Sequence, residues 1–311
     1  MTGRAVALPA ARPLGALWRF SRPHTIIGTT VSIVALYLIA VDTLPGLTFD
    51  GGLFDLFWTL VAGLAVNVYI VGINQLEDVE IDRVNKPFLP LAAGDLSRAA
   101  ARAIVAGCAL VAVALAVSQG ALETVAVLAG LAVGTAYSSP PLRLKRYPVL
   151  ASLSITGVRS VVVNLGVALH FTSSLGDGSL AVPAPVWALT LFVIPFSFAI
   201  AVLKDVPDLE GDRRYRIATF TVRLGGRRVL RIGMAALAAA YLGMALLGPF
   251  LLPGCQPVVL AATHLAALAL MWRWSAAADP ADPAGFTRFY MRVWKLFFLE
   301  YALLPLACLL G

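Results

Sequence analysis

The sequence predicts an all-α polytopic membrane protein of nine transmembrane helices with its N-terminus cytoplasmic. Three observations lead there. Of the 311 residues 59% are hydrophobic and only 13% are charged, with a mean hydropathy of +0.85, whereas a water-soluble globule carries about 25% charged residues. Apolar runs recur from Thr25 to Leu310 with no Ser/Gly-rich linker or polar tail between them, so residues 1–311 read as a single membrane domain with the lipid bilayer as solvent. Lys and Arg gather in alternate connections, as they do in cytoplasmic loops.

A crossing needs roughly 20 mostly apolar residues. The first, 25 to 42, follows Arg4, Arg12, Arg19 and Arg22, a pattern that could mark a signal peptide, but no small-residue cleavage site with a soluble domain follows it. Residues 1–23 are then a cytoplasmic N-terminal segment, too short for an organellar transit peptide, and a bacterial-type inner membrane is expected. Further spans fall at 54 to 73, 99 to 118, 121 to 138, 149 to 171 and 184 to 203. The charge-free run Ile232 to Trp272 has 41 residues, too long for one crossing, and the Gly and Pro residues from Gly248 to Pro257 divide it into spans 229 to 250 and 256 to 273. The last span is 287 to 310.

With these boundaries the connections near 43 to 53, 119 to 120, 172 to 183 and 251 to 255 hold no Lys or Arg. The alternate ones hold nearly all, which places the amino terminus inside and the carboxyl terminus outside. The net charge of +7 is thus a topology signal, and no nucleic-acid partner is expected. Cys108, Cys255 and Cys308 form no C-x-x-C pair, and His24, His170 and His264 lie far apart. Zinc and redox chemistry therefore lack a ligand cluster, and these residues read as ordinary packing.

Eight of the 17 acidic residues sit in two short segments, Glu77 to Asp82 and Asp205 to Asp212, each following an apolar span on the cytoplasmic side. Asn74, Asp78 and Asp82 are spaced i, i+4, i+8, and Asp205, Asp208 and Asp212 are spaced i, i+3, i+7, so on a continuous helix each set forms one stripe. Like charges stacked on one face repel, and more so where the dielectric is low. Oxygen ligands without His or Cys favour a hard cation, and Mg²⁺ in particular is held by one or two carboxylates plus substrate phosphates. Two facing stripes would bind Mg²⁺ and, through it, a diphosphate. The bland alternative is solvated loop charge or acids at helix N-termini; two such stripes at one membrane depth, both flanked by Lys and Arg, argue against it.

Lys86, Lys145, Arg146, Lys204 and Arg213 lie in the same cytoplasmic connections, where they could grip the diphosphate. Lys204 abuts Asp205, and Lys145 lies in the Pro-stiffened stretch Tyr137 to Arg146. Arg159 stands about ten residues into an apolar span, where a cation is a functional residue by default. Its partner would be an acidic stripe, the diphosphate or an acceptor's carboxylate; snorkelling to the membrane edge is the competing reading.

These residues resemble the two signatures of the UbiA-type intramembrane prenyltransferases, N-x-x-x-D-x-x-x-D (Asn74, Asp78, Asp82) and a later D-x-x-x-D (Asp208, Asp212). Arg19 to Gly28, Asn74 to Ala92, Tyr137 to Arg146 and Lys204 to Asp212 resemble the homogentisate prenyltransferase branch of that superfamily. The resemblance implies a helical bundle around a central cavity and Mg²⁺ holding an isoprenoid diphosphate. It also implies an aromatic, homogentisate-like acceptor alkylated on carbon with loss of its carboxylate, as in tocopherol or prenylquinone synthesis. It makes Asn74, Asp78, Asp82, Asp208 and Asp212 metal ligands with Asp205 beside them, and Arg22, Tyr137 and Lys145 catalytic residues on the acceptor or diphosphate side. The rival readings are another aromatic acceptor, an intramembrane terpene cyclase and, less in keeping with carboxylates at one membrane edge, a transporter. Prenyl chain length and oligomeric state leave no mark in the sequence.

Overall fold

Every regular element among residues 13–311, which this computed structural model describes, is helical. Lipid requires this of a spanning chain, whose backbone polar groups must be satisfied internally. The nine long helices are α1 Pro23–Thr43, α2 Leu53–Glu77, α3 Arg98–Gln119, α4 Ala121–Ser138, α5 Pro148–Leu175, α6 Ala184–Leu203, α7 Gly226–Leu251, α8 Pro257–Ser275 and α9 Pro283–Leu309. Each expected span falls within one of them to within one or two residues. The expected cytoplasmic segment 1–23 lies mostly outside the described residues; its end forms the short helix Pro13–Phe20, tied down by an Arg19–Asp95 ion pair at 2.6 Å.

Among the described residues eight helices, α1 to α8, are long and apolar enough to cross a bilayer. The ninth, α9, is 27 residues long, or about 40 Å, but it is less apolar because Arg288, Arg292 and Lys295 form an exposed basic stripe on it and Glu300 is buried in it.

Helix α6 is the most buried of the spans, and its aromatic rings organise the larger core. Phe192 and Phe196 pack edge-on against Tyr241 of α7, and Phe196 also meets Phe297 of α9. A second pairing, α2 with α3, relies on small residues: Ala62, Ala65, Ala112 and Ala116 are buried at the contact, letting the backbones approach as lipid-solvated helices do. The larger core also contains a pair that no sequence pattern announced, His264 of α8 hydrogen-bonded to Glu300 of α9 at 3.2 Å.

Two expectations need correction. Cys255 and Cys308 are not independent packing residues but a disulfide that joins the α7–α8 connection to the end of α9; the Gln256 N–H donates to the Ala307 carbonyl at 2.7 Å beside it. And neither acidic stripe lies on one continuous helix. Helix α2 ends at Glu77, with Asp78 at φ −110°, ψ 16°, and the short helix Val79–Asn85 follows; Asp208 similarly separates the turn after α6 from the helix Leu209–Arg214. Carboxylates at a helix C-terminus oppose its dipole, whereas Glu80, Asp82, Glu210 and Asp212 in the first turns of new helices favour it.

Candidate active site

The two acidic segments meet. The Asn85 side-chain oxygen accepts the Gly211 N–H at 2.9 Å, the Tyr215 hydroxyl donates to the Glu80 carbonyl at 3.1 Å, and Lys86 is paired with Asp208. A Cβ at position 211 would stand 2.2 Å from the Asn85 oxygen, so glycine there permits the approach. Below this junction lies a cavity of about 740 Å³, lined by residues of α1, α2, α4, α5 and α9 as well as by Asn74, Asp78, Asp82, Asp205, Asp208 and Asp212. Its walls are mostly apolar side chains such as Ile33, Val66, Ile70, Val133, Val158 and Val163.

Charges at the mouth of the cavity are paired with economy. Both oxygens of the buried Asp78 are engaged: one accepts from Arg143 at 3.1 Å, the other from Lys145 at 2.6 Å and the Asn74 amide at 3.0 Å. Lys204 bridges Asp205 at 3.1 Å and donates to the Tyr137 hydroxyl at 3.0 Å. Arg22, the residue before α1, is held in the left-handed region at φ 53° and reaches the Asn74 oxygen at 3.5 Å. Arg143 is also left-handed, at φ 39°. Non-glycine residues in this region carry strain that the surroundings must hold in place, a frequent feature of working sites.

Asp82 and Asp212 are different. Burial is the main reason the Asp82 carboxyl is pushed up to about 6, even though Arg22 and Lys86 pull it down. Burial followed by the like charges of Asp205 and Asp208 lifts Asp212 to about 7, and its Oδ2 is buried without a hydrogen-bond partner among the described residues. Lys145 moves the other way: burial lowers it from its ordinary value, against the attraction of Asp78.

Two carboxylates that form no ion pair of their own among the described residues and line one cavity fit a hard cation that completes its coordination with ligand oxygens. Among the described residues no three His, Cys, Asp or Glu side chains close on one point as an all-protein cage would require. Asp82 and Asp212 could hold such an ion, with Asn74, Asp78, Asp205 and Asp208 lining the same cavity; Asp78, Asp205 and Asp208 each also pair with a lysine.

Of the basic residues singled out in the sequence, Lys86, Lys145 and Lys204 line the cavity. Arg146 and Arg213 do not; both are exposed, outside the lining. The turn Leu144–Arg146 carries Lys145 inward and leaves its neighbour facing out, while Arg143, just ahead of that turn and not singled out in the sequence, reaches Asp78. A run of basic residues cannot reveal which of them points inward, because that depends on the turn.

Arg159 lines the cavity but meets no acidic stripe. It lies in a wide π-type turn of α5, Gly157–Val163, with its guanidinium 4.4 Å from the Trp294 ring centre and 5.6 Å from that of Phe297. Such turns recur at functional sites.

An apolar intramembrane cavity, lined at its mouth by converging acids and lysines, is the architecture of an intramembrane prenyltransferase. The chain belongs to the UbiA prenyltransferase family, whose model matches residues 27–296. It is 46% identical to the homogentisate phytyltransferase of Synechocystis, over 94% of this chain and 95% of the relative. It is 37% identical to homogentisate phytyltransferase 1 of Arabidopsis thaliana, over 94% of this chain and 75% of that one. Among solved structures it resembles a UbiA homolog from Archaeoglobus fulgidus bound to GPP and Mg²⁺, with a TM-score of 0.60 and 16% identity, over 93% of this chain and 99% of the other. Family membership sets the transporter reading aside.

Proposed function

We propose that this protein transfers an isoprenoid group, phytyl or geranylgeranyl, from its diphosphate to homogentisate in a Mg²⁺-dependent reaction of the tocopherol or prenylquinone type. The observation that carries the reading is the junction of the two acidic segments over an apolar cavity, in a chain so similar to named homogentisate phytyltransferases. A bound Mg²⁺ would neutralise charge on the diphosphate as it leaves. Asp82 and Asp212, with Asn74, Asp78, Asp205 and Asp208, would supply its ligands. Lys86, Lys145 and Lys204 line the cavity, and their ammonium groups would stabilise the negative charge that develops on the departing oxygens, the kind of preorganised electrostatics that lowers a barrier most.

In the reaction the bond between the allylic carbon and the diphosphate oxygen breaks. The electron-rich acceptor ring supplies the pair for the new carbon–carbon bond and then sheds the proton of the attacked carbon; the acceptor's carboxylate leaves as CO₂ with a proton taking its place, so no Ser or Cys nucleophile is needed. Tyr137 fixes Lys204 through their 3.0 Å hydrogen bond, and Arg22 holds the Asn74 oxygen. The apolar wall keeps water from the allylic cation and buries the prenyl tail at about 0.8 kcal/mol per CH₂. The site faces the cytoplasm if the basic connections do.

Purified protein supplied with Mg²⁺, several prenyl diphosphates and several quinol precursors tests the reading by mass spectrometry of the products. A prenylated homogentisate derivative is expected. Turnover of the diphosphate at an equal rate without any aromatic compound would show a cyclase or hydrolase instead.

A further inference from the structure

Among the described residues six cations line the cavity: Arg19, Arg22, Lys86, Lys145, Arg159 and Lys204. Arg19 pairs with Asp95, Lys86 with Asp208, Lys145 with Asp78 and Lys204 with Asp205, while Arg22 reaches the Asn74 oxygen. Arg159 alone has no oxygen partner among the described residues. A guanidinium inside a membrane span without a counter-charge is costly, and stacking on an aromatic face offsets only part of that cost.

A second donor waits beside it. Trp294, which carries the stacked ring, is buried, and its Nε1–H makes no close hydrogen bond among the described residues, with only the Tyr290 hydroxyl beside it. His24 stands edge-on to the same ring, 4.9 Å between centres, and the cavity wall continues through Tyr290 and Phe297. The place is next to the acidic junction: His24 is two residues from Arg22, which touches Asn74, which in turn touches Asp78.

We infer that Arg159 and Trp294 form the recognition site for the carboxylate of the aromatic acceptor, with His24, Tyr290 and Phe297 forming the aromatic box around its ring. The planar guanidinium fork matches a carboxylate in two-point contact, and the indole N–H completes the cradle. The diphosphate end is already served by three lysines, so the pocket sorts the two substrates by separate cations. This inference rests on the homogentisate reading and deepens it, since it requires an acceptor with both a ring and a carboxylate.

Steady-state kinetics with homogentisate and geranylgeranyl diphosphate, in wild type and in Arg159→Leu, test it, with homogentisate methyl ester as a competitive inhibitor. For Arg159→Leu the KM for homogentisate is expected to rise at least tenfold, while the KM for the diphosphate and the inhibition constant of the uncharged ester stay within twofold. Arg159→Lys is expected to recover only part of the loss, because an ammonium cannot form the fork. A rise in the diphosphate KM alone would put Arg159 on the phosphate side and overturn the inference. Equal weakening of acid and ester would do the same, since it would show a packing role.

If Arg159→Leu does not fold, Trp294→Phe keeps an aromatic ring, though a smaller one, and removes the N–H, and it is expected to raise the homogentisate KM threefold or more without moving the ester; no change overturns the inference. Wild type that does not turn over homogentisate contradicts the functional reading instead. Equilibrium binding of homogentisate to wild type and Arg159→Leu then still decides the anion pocket, with equal affinity counting against it.

Discussion

Gly211 donates its backbone N–H to the side-chain oxygen of Asn85 across 126 positions of sequence, at 2.9 Å. This bond ties the helix that follows α2 to the helix that follows α6 and thereby sets the separation of the two acidic segments. A methyl group at position 211 would meet the Asn85 oxygen at 2.2 Å. Gly211→Ala is therefore expected to lower kcat/KM by about a hundredfold, the loss that a misplacement of about 1 Å brings. Gly107→Ala, where a Cβ meets nothing within 4 Å, serves as the control and should retain wild-type activity.

Neighbouring basic residues should behave in opposite ways. Lys145 is buried against Asp78 at 2.6 Å while Arg146 is exposed outside the cavity. Lys145→Met is expected to cost at least tenfold in kcat/KM for the diphosphate, as the loss of one charge-assisted contact of about 1.5–3 kcal/mol implies. Arg146→Met should stay within twofold. Parallel kinetics of the two variants check this.

Activity should demand more metal as pH falls. Asp82 and Asp212 hold their protons up to about 6 and about 7, and a carboxyl must lose its proton to take a metal ion. Above pH 8 both are ionised and the Mg²⁺ requirement should be flat. Through pH 7 and below pH 6 a proton has to be displaced, so the Mg²⁺ concentration for half-maximal rate is expected to rise by up to about tenfold per pH unit for each proton. Mg²⁺ titrations at pH 8, 7, 6 and 5.5 measure it; a requirement that stays constant would contradict the assignment.

The Cys255–Cys308 disulfide joins the α7–α8 connection to the end of α9, and neither cysteine lines the cavity. The double variant Cys255→Ser/Cys308→Ser is expected to lower the thermal midpoint in detergent and to leave kcat/KM within about twofold. Scanning fluorimetry and the prenylation assay read the two effects separately.

The spans were legible because lipid enforces one rule on every crossing, long apolar helices with charges at their ends. The two acidic segments were legible because both pair a polar motif with a span end. What the sequence hid depends on where the chain turns. The break at Asp78 follows from the preference of carboxylates for helix N-termini and splits a stripe that looked continuous. The choice of Arg143 over Arg146 as a partner of Asp78 follows from a left-handed residue and a short helical turn. Arg159 was marked by its depth, but its aromatic partner Trp294 lies on α9, 135 positions away. The pairing of Cys255 with Cys308 likewise needs the meeting of a loop and a terminus that hydropathy does not reveal.

The most direct measurement of the central claim is calorimetric binding of a non-reactive thiolo analogue of geranylgeranyl diphosphate, with and without Mg²⁺, to wild type, Asp82→Asn and Asp212→Asn. The expected result is tight binding only with Mg²⁺ and only in wild type, with at least tenfold weaker binding in each variant, one from each acidic segment. Binding of equal strength without Mg²⁺, or unchanged in either variant, would contradict a metal-bridged diphosphate held between the two segments.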